Sequence, residues 1–260
     1  MADRPLDGRV ALVTGGGRGI GAAIARLLAK SGAAVGVAAR SRAECDAVAS
    51  EIRSEGGTAS GYSCDVTNEE EVRELSTRVR IELGNPEVLV MSAGAAMAAP
   101  FREVTISDWD AMMNANARST FLCASAFVPT MAAHGFGRVV AVASVAGLTG
   151  GKYIAPYAAS KHAVVGLVRS LAAELEGKGV TVNAVCPGYV DTSITHKAVE
   201  GAMSRGGLSH PEALAAILGT TGQERLLTPE EVARAVLKLI VDPQHPTGQA
   251  LVLGARVHAA

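Results

Sequence analysis

The feature that most constrains the fold of this chain is a regular alternation of short β-branched runs with longer helical stretches. Strands separated by helices are joined by right-handed crossovers, which makes neighbouring strands parallel. The sequence therefore predicts an α/β protein with a seven-stranded parallel sheet and helices on both faces. The predicted strands are Val10 to Val13, Ala34 to Ala39, Thr58 to Cys64, Val88 to Met91, Arg138 to Ala143, Val180 to Val185 and Ala250 to Leu253.

Length and composition support one domain of this class. The 260 residues contain only 3% aromatics, which argues against an all-β sandwich with aromatic cross-strand pairs. No low-complexity linker or internal repeat interrupts the pattern, so we expect a single domain over residues 1–260. The net charge of -1 offers no basic surface, and we therefore expect no nucleic-acid partner.

Cysteine and histidine placement argues against a metal site. Zinc needs convergent ligands at characteristic spacings, and the six histidines show no H-x-x-x-H pattern. The cysteines form no C-x-x-C pair and are expected to be reduced packing thiols: Cys45, Cys64, Cys123 and Cys186. With no signal-like start and no apolar segment of about 18 residues, the chain is expected to be cytoplasmic, without a membrane partner.

A glycine-rich stretch, Thr14 to Gly21, follows the first predicted strand. Gly15, Gly19 and Gly21 permit close approach of the backbone to a pyrophosphate at the N-terminus of the helix that begins near Arg18. Their G-x-x-x-G-x-G spacing differs from the common G-x-G-x-x-G fingerprint, and tight packing is the alternative reading. In a parallel sheet such a loop shares a crevice with the loops that follow the other central strands.

The end of the second strand indicates which nucleotide is bound. The strand is followed by Arg40, Ser41 and Arg42, without the carboxylate that bonds the ribose hydroxyls of NAD. A guanidinium suits the 2'-phosphate of NADP, and Arg18 within the glycine turn is a second candidate for it. The alternative is a pair of solvated arginines. We predict NADP(H) as the preferred cofactor, with NAD(H) as the alternative.

A second pattern carries acid–base chemistry. Tyr157 and Lys161 are four residues apart in a helical stretch that reaches about Glu176, so they share a helix face. A free tyrosine has a pKa of about 10, and a nearby ammonium and an oxidised nicotinamide would lower it towards neutrality. Ser144 follows the fifth predicted strand and can orient a substrate carbonyl. A surface Tyr–Lys pair is the alternative reading.

Taken together, these motifs resemble the short-chain dehydrogenase/reductase family from about Gly8 to Leu253. The resemblance implies a doubly wound Rossmann fold and hydride transfer between the nicotinamide C4 and a carbonyl carbon. The residues that carry it are Thr14 to Gly21, Asp65-Val66, Ala93-Gly94, Asn116, Ser144, Tyr157 with Lys161, and Pro187-Gly188 followed by Thr192.

The family pattern implies four catalytic residues. Tyr157 would give the proton to the developing alkoxide, and Ser144 would hydrogen-bond the substrate oxygen. Lys161 would hold the nicotinamide ribose and lower the tyrosine pKa, and Asn116 would position a water in the proton relay. Asn116 is preferred to Asn114 because of its spacing from Trp109, and two such residues face about 200 degrees apart on a helix.

The same resemblance implies the cofactor contacts. Asp65 and Val66 would contact the adenine, and Val190 and Thr192 the nicotinamide amide. The full predicted set is Gly15, Arg18, Gly19, Ile20, Gly21, Arg40, Asp65, Val66, Ala93, Gly94, Tyr157, Lys161, Pro187, Gly188, Val190 and Thr192. Two departures from the family pattern are Ser92, where asparagine is usual, and the ending Gly254-Ala255-Arg256, where Asp-Gly-Gly is usual.

The substrate is less constrained. Residues 192–228 form a long segment with helical patterns on both sides of Gly206-Gly207, which predicts a short helical substrate lid. Its cations, including Lys197 and Arg205, would meet the phosphates of a coenzyme A or carrier-protein thioester, or are solvated. The segment from Pro156 to Thr192 resembles β-ketoacyl and polyketide ketoreductases and 3-hydroxybutyrate dehydrogenases.

We therefore expect an NADPH-dependent carbonyl reductase or alcohol dehydrogenase that interconverts a ketone, or a β-ketoacyl thioester, and a secondary alcohol. An NAD-dependent 3-hydroxyacid or secondary alcohol dehydrogenase is the alternative, followed by a non-catalytic dinucleotide sensor. Relatives are commonly tetramers, so we also expect a homotetramer. The helices from about Ser107 to Met131 and from Tyr157 to Glu176 would form its contacts.

Overall fold

The computed structural model describes residues 4–242, 244 and 247–255. Within that part of the chain, seven parallel strands form one sheet in the order β3-β2-β1-β4-β5-β6-β7. The strands are β1 Val10–Thr14, β2 Ala34–Ala39, β3 Thr58–Ser63, β4 Val88–Met91, β5 Gly137–Val142, β6 Val180–Pro187 and β7 Ala250–Leu253. The predicted seven-stranded parallel sheet is confirmed. β5 begins and ends one residue earlier than predicted, and β6 extends two residues further.

The strand order reverses at β1, which pairs with β2 on one side and with β4 on the other. Val13 is in register with Val37 of β2 and with Val90 of β4. At such a reversal the connections leave the sheet in opposite directions and open a crevice beyond the carboxyl ends of the strands. The loops after β1 and β4 therefore form the two sides of one crevice.

Helices cover both faces of the sheet. Apolar side chains of the first face pack against α1 Gly19–Lys30, α2 Arg42–Ser54 and α9 Pro229–Val241. Those of the other face pack against α3 Glu69–Glu82, α5 Ser119–Ala133 and α6 Ala155–Glu174. Because both faces are covered, the central strands are almost continuously apolar, and β4 is fully buried.

The helical stretch predicted from Ser107 to Met131 is not one regular helix. It consists of α4 Ile106–Met112, a π-helical segment Met113–Arg118 and α5. Because the segment is π-helical, the angle of about 200 degrees expected between Asn114 and Asn116 on an α-helix does not apply. Asn116 is nevertheless the buried one of the two, and Asn114 is exposed. Short π-helical segments within α-helices frequently occur at functional sites.

Two further helices lie beyond the carboxyl ends of the strands, α7 Ser193–Gly206 and α8 His210–Gly219. They share a small core of their own around Val199, Ala213 and Ile217, separate from the two cores that flank the sheet. Gly207 lies between them with φ of 62°, a left-handed conformation that favours glycine. The segment 192–228 therefore contains the two helices that its sequence predicts.

The helix that carries Tyr157 ends slightly earlier than predicted. α6 begins two residues before Tyr157 and ends at Glu174, two residues short of the predicted end. Arg256, the last residue of the unusual ending, lies outside the described residues. None of the helices in the described ranges combines the length and apolarity required to cross a bilayer.

Candidate active site

The glycine turn after β1 is built from close backbone contacts. Gly15 and Gly19 have φ of 68° and 53°, and a Cβ on Gly21 would lie 2.1 Å from the carbonyl oxygen of Gly15. A side chain at Gly21 would therefore force the turn open. The turn delivers the chain into α1, whose first N–H groups face the crevice, and such a helix terminus favours a bound anion.

Loops from other strands pack directly on this turn. A Cβ on Gly15 would lie 2.6 Å from the nitrogen of Ala93, in the loop after β4. A Cβ on Gly19 would lie 3.4 Å from Cγ2 of Thr192, at the start of α7. The turn is thus enclosed by the loop after β4 on one side and by the base of the two-helix segment on the other.

These loops enclose a cleft of about 650 Å³, within the range of small-molecule sites. Each of the sixteen predicted cofactor-contact residues lines it, from Gly15 and Arg18 through Asp65 to Thr192. Ser144 lines it as well. Asn116 does not, because it is buried behind the wall of the cleft. The structure therefore brings together in one cleft the predicted residues other than Asn116.

The floor of the cleft holds Ser144, Tyr157 and Lys161. Ser144 lies two residues after the end of β5. Its hydroxyl oxygen accepts a hydrogen bond from the N–H of Ala146 at 3.1 Å, which fixes the position of the hydroxyl. Tyr157 and Lys161 project from the first two turns of α6. The Lys161 ammonium lies 6.0 Å from the centre of the Tyr157 ring and donates to the carbonyl oxygen of Val142 at 3.0 Å.

Burial is the largest influence on the pKa values of Tyr157 and Lys161. It raises the pKa of Tyr157, and the facing Ser144 hydroxyl only partly opposes that shift. Burial also lowers the pKa of Lys161 to about 8. The expected lowering of the tyrosine pKa is therefore not produced by the protein residues alone, because removing the phenolate from water outweighs the hydrogen bond with Ser144.

Asn116 clamps the loop after β4 to α6. Its amide nitrogen donates to the carbonyl oxygen of Ala95 at 2.9 Å and to the Ser160 hydroxyl at 3.0 Å. Its amide oxygen accepts from the N–H of Ala95 at 3.1 Å. Ser160 in turn donates to the carbonyl oxygen of Tyr157 at 2.7 Å. The amide thus links the cleft wall to the helix that carries Tyr157.

Charged groups gather at the opposite end of the cleft. Arg18 and Arg40 are both exposed and both line it. Asp65 accepts from the N–H of Thr67 at 3.0 Å, a bond that lowers the pKa of Asp65, and the charge of Arg40 lowers it further. This end therefore offers two cations and a carboxylate that is readily ionised.

The sequence analysis did not predict a role for two residues of this region, Glu44 and Gln223. Glu44 of α2 lines the cleft and places a carboxylate oxygen 3.9 Å from the Arg18 guanidinium. Gln223 accepts from the N–H of Tyr189 at 2.7 Å and donates to its carbonyl oxygen at 3.1 Å, which secures the loop after β6. The Ser41-x-x-Glu44 spacing was a visible signal for the first; nothing local in the sequence marks Gln223.

The two-helix segment contributes two cations in different ways. Lys197 of α7 lines the cleft, whereas Arg205 near the end of α7 reaches the loops on the far side. The Arg205 guanidinium donates to the carbonyl oxygen of Ala98 at 3.4 Å and lies 5.8 Å from the centre of the Tyr153 ring. The C-terminal end of α7 is therefore tied to the loops after β4 and β5.

These features fit a dinucleotide. The glycine turn leaves a cradle that a Cβ would fill, the helix terminus favours a pyrophosphate, and the charged end suits an adenosine ribose or its phosphate. A Cβ on Gly94 would lie 2.6 Å from Oδ1 of Asn116, so the wall between the cleft and Asn116 tolerates only glycine there.

Among the described residues no group of three or more His, Cys, Asp or Glu side chains is arranged to hold a metal ion.

Comparison with known proteins agrees with this geometry. Residues 9–202 match the short chain dehydrogenase family. The chain is 38% identical to D-threitol dehydrogenase of Mycolicibacterium smegmatis, with 92% of this chain and 88% of the relative covered. It is 35% identical to the 3-oxoacyl-acyl-carrier-protein reductase of Thermotoga maritima, with 95% and 96% covered.

A solved structure is similar over nearly the whole chain. It is a variant of actinorhodin polyketide ketoreductase crystallised with NADPH, and it superposes with a TM-score of 0.90 at 35% identity. The comparison covers 95% of this chain and 96% of that protein. The doubly wound Rossmann arrangement is thus shared at a level of identity where residues of the cleft can be compared.

Proposed function

Because the chain belongs to the short chain dehydrogenase family and is an oxidoreductase acting on CH–OH groups, we propose that it is an NADPH-dependent carbonyl reductase. The observation that carries the proposal is the convergence of Ser144, Tyr157 and Lys161 on the floor of the cleft that the glycine turn opens. An acid, an orienting hydroxyl and a buried ammonium beside a dinucleotide cradle are the groups that carbonyl reduction requires.

The proposed chemistry assigns each side chain a task. The bound dinucleotide would supply the hydride. The Tyr157 hydroxyl would donate its proton to the carbonyl oxygen as negative charge develops there, and the Ser144 hydroxyl would hold the same oxygen. Burial raises the pKa of Tyr157, so the phenol carries its proton before the reaction, and stabilisation of the phenolate by Lys161 would help it to release that proton.

Lys161 and Asn116 would support that proton transfer. Lys161 is the one ammonium on the cleft floor among the described residues, and we assign it to the nicotinamide ribose and to stabilising the phenolate once it forms. Asn116 would act behind the wall, where its hydrogen bonds to Ala95 and Ser160 maintain the spacing between the loop and α6. We propose that this clamp also organises the proton relay.

We propose NADP(H) as the preferred cofactor. Support comes from Arg18 and Arg40 at the adenosine end of the cleft, where guanidinium groups suit a 2'-phosphate. The ketoreductase of similar structure was crystallised with NADPH. Glu44 works against this preference, because a carboxylate at the same end suits an unphosphorylated ribose.

We propose a ketone substrate, with a β-ketoacyl thioester as the leading class. The similar 3-oxoacyl-acyl-carrier-protein reductase and polyketide ketoreductase act on such groups by their names, and Lys197 offers a cation at the cleft. α7 and α8 would serve as a lid over the substrate, with residues 192–228 as the lid of a single domain. The ties from Arg205 to Ala98 and Tyr153 would hold the lid closed.

A second candidate is an NAD-dependent dehydrogenase for a secondary alcohol or 3-hydroxyacid. The similarity to D-threitol dehydrogenase and the position of Glu44 favour it. A non-catalytic dinucleotide sensor is the third, and the Ser144, Tyr157 and Lys161 set gives such a protein no chemical advantage.

One experiment separates the three. The purified protein is mixed with NADPH or NADH and a panel of ketones, ketoacyl thioesters and, with the oxidised cofactors, polyols and hydroxyacids, while the absorbance of the reduced nicotinamide is followed. Turnover of a ketoacyl thioester with NADPH supports the first candidate. Faster oxidation of a polyol or hydroxyacid with NAD supports the second, and binding of a dinucleotide without turnover of any substrate supports the third.

We propose a homotetramer in the cytoplasm. Large apolar side chains are exposed on and around α4 and α5, as expected of a surface that a second copy covers: Phe101, Ile106, Trp109 and Phe121. The buried, unpaired cysteines suit a reducing compartment. Light scattering after size-exclusion chromatography tests the assembly: the mass of four chains is expected, and the mass of one or two chains would refute the tetramer.

A further inference from the structure

Glu44 stands at the third position of α2, and the N-cap Ser41 precedes it. This spacing is that of a capping box, in which the third side chain reaches back to the N–H of the cap residue. The reciprocal pair is complete at α4, α8 and α9, for example between Thr228 and Glu231. At α2 only half of it forms: Ser41 accepts from the Glu44 N–H at 3.3 Å, and the carboxylate turns away.

The carboxylate points instead over the glycine turn. It lies 3.9 Å from the guanidinium of Arg18, and a Cβ on Gly17 would come within 2.9 Å of the Glu44 side chain. The side chain of Arg18 is 70% exposed and that of Glu44 is 42% exposed, and both line the cleft. Glu44 therefore places a negative charge beside one of the two cations at the charged end of the cleft.

The two arginines that follow β2 have other carboxylates as neighbours. Arg42 also follows β2, but Asp46 accepts from it at 2.7 Å, one turn along α2 and outside the cleft. Arg40 and Asp65 line the same end of the cleft, and the pKa of Asp65 is lowered first by its hydrogen bond from the Thr67 N–H and then by the charge of Arg40. The two cations of the cleft end, Arg18 and Arg40, are thus matched by two carboxylates, Glu44 and Asp65.

We propose that Glu44 is a specificity-determining residue that holds Arg18 as a counter-ion and thereby limits the preference for NADP(H) over NAD(H). The inference rests on the proposed function, in which this cleft binds a nicotinamide dinucleotide. A 2'-phosphate must take Arg18 from Glu44 and remain near a second negative charge. The displaced carboxylate has a ready alternative, because the Ser41 N–H would complete the capping box.

The expected magnitude follows from Coulomb's law in a wet environment. The pair of Arg18 and Glu44, with 3.9 Å between their charged atoms, corresponds to roughly fivefold in a binding constant at an effective dielectric near that of water, and a 2'-phosphate must break it to take Arg18. An unphosphorylated ribose carries no such charge. Removing the carboxylate should therefore raise the affinity for NADP⁺ about fivefold and change that for NAD⁺ little.

Binding of NADP⁺ and NAD⁺, measured by isothermal titration calorimetry without substrate, tests this directly. Glu44→Gln should tighten NADP⁺ binding about fivefold, and Arg18→Gln should weaken it. In the Arg18→Gln background, Glu44→Gln should have a much smaller effect, because the cation it released is gone. Raising the salt concentration should shrink the gain, since both side chains are solvated.

Glu51→Gln is the matched control. Glu51 lies on the same helix and accepts from Arg26 at 2.7 Å, with a side chain 47% exposed against 42% for Glu44. It lies outside the cleft and should leave both affinities unchanged. The inference is overturned if Glu44→Gln leaves NADP⁺ binding unchanged or weaker, or if it mainly weakens NAD⁺ binding, since Glu44 would then bind the ribose directly.

The wild-type measurements keep the two proposals apart. A wild-type protein that binds NAD⁺ more tightly than NADP⁺ contradicts the proposed cofactor preference, while the ratio between Glu44→Gln and wild type still reports on Glu44. A thermal unfolding curve for each variant identifies any loss of folding. If Glu44→Gln is unstable, Glu44→Ala supplies the same charge change, and the same increase in NADP⁺ affinity is expected.

Discussion

Lys161 donates a hydrogen bond from Nζ to the carbonyl oxygen of Val142 at 3.0 Å, across the boundary between α6 and the end of β5. The bond ties the ammonium to the sheet and fixes it 6.0 Å from the centre of the Tyr157 ring. Burial raises the pKa of the phenol, and the hydrogen bond with Ser144 only partly opposes that shift. Tyr157 therefore enters the reaction as the protonated phenol, and release of its proton depends on stabilising the phenolate.

Tyr157→Phe should remove most of the turnover and leave dinucleotide affinity nearly unchanged. The phenyl ring fills the same space but cannot donate a proton, and loss of a general acid costs about 10² to 10⁴ in rate. Steady-state kinetics and calorimetry with the oxidised cofactor check the two parts. Tyr153→Phe, at an exposed tyrosine outside the cleft lining, is the control. Turnover retained in Tyr157→Phe would remove Tyr157 from the mechanism.

The free energy of unfolding should increase as the pH rises, because the pKa of Lys161 is lowered in the folded protein. Its pKa is lowered from 10.5 to about 8, so between these values the unfolded chain binds more protons than the folded one, and folding becomes more favourable as the pH rises. Relative to Lys161→Met, the wild type should gain about 3 kcal/mol between pH 7 and pH 11.

Urea unfolding of both proteins across that range measures the difference. The Cys64 and Cys123 thiols, whose pKa values burial raises to about 12 each, titrate in both proteins and cancel, and Cys186→Ser in both backgrounds removes a thiol whose pKa the Lys161 charge lowers. A difference that stays flat with pH would mean that the Lys161 pKa is close to its ordinary value.

Asn116→Leu should destabilise the protein by about 1 to 3 kcal/mol. Leucine is similar in size but cannot replace the buried hydrogen bond to Ser160 or the half-buried bonds to the N–H and the carbonyl oxygen of Ala95, and losing the partner of a buried polar group costs about 1 to 3 kcal/mol. Asn114→Leu, two residues away and exposed, is the control and should change stability by less than about 0.5 kcal/mol. Equal effects of the two variants would contradict the clamp.

Gly21→Ala should abolish dinucleotide binding and lower stability. The added Cβ would lie 2.1 Å from the carbonyl oxygen of Gly15, which is backbone and cannot give way without opening the turn. Gly150→Ala adds a methyl group where no atom lies within 4 Å and should bind normally. Calorimetry with NADP⁺ compares the two, and wild-type affinity in Gly21→Ala would show that the turn does not cradle the cofactor.

Local sequence signals sufficed for the sheet and for the glycine turn, whereas most of the individual cofactor contacts were implied by the family resemblance. Runs such as Val88 to Met91 are too short and too apolar for exposed helices, and the glycine turn lies directly after the first of them. Once parallel strands were predicted, the rule that loops gather at their carboxyl ends placed the glycine turn, Arg40 and Ser144 around one crevice, whereas Thr192 was implied only by the family resemblance. That inference needed no distances.

Tertiary structure decided what depends on contacts between distant residues. The π-helical segment that buries Asn116, the turn of Glu44 away from its capping box towards Arg18, and the hold of Gln223 on Tyr189 all arise from packing between segments far apart in the chain. So does the raised pKa of Tyr157, because desolvation depends on everything that surrounds the phenol. Periodicity and turn chemistry are local properties that a sequence displays, whereas side-chain direction and ionisation are set by neighbours that only the folded chain supplies.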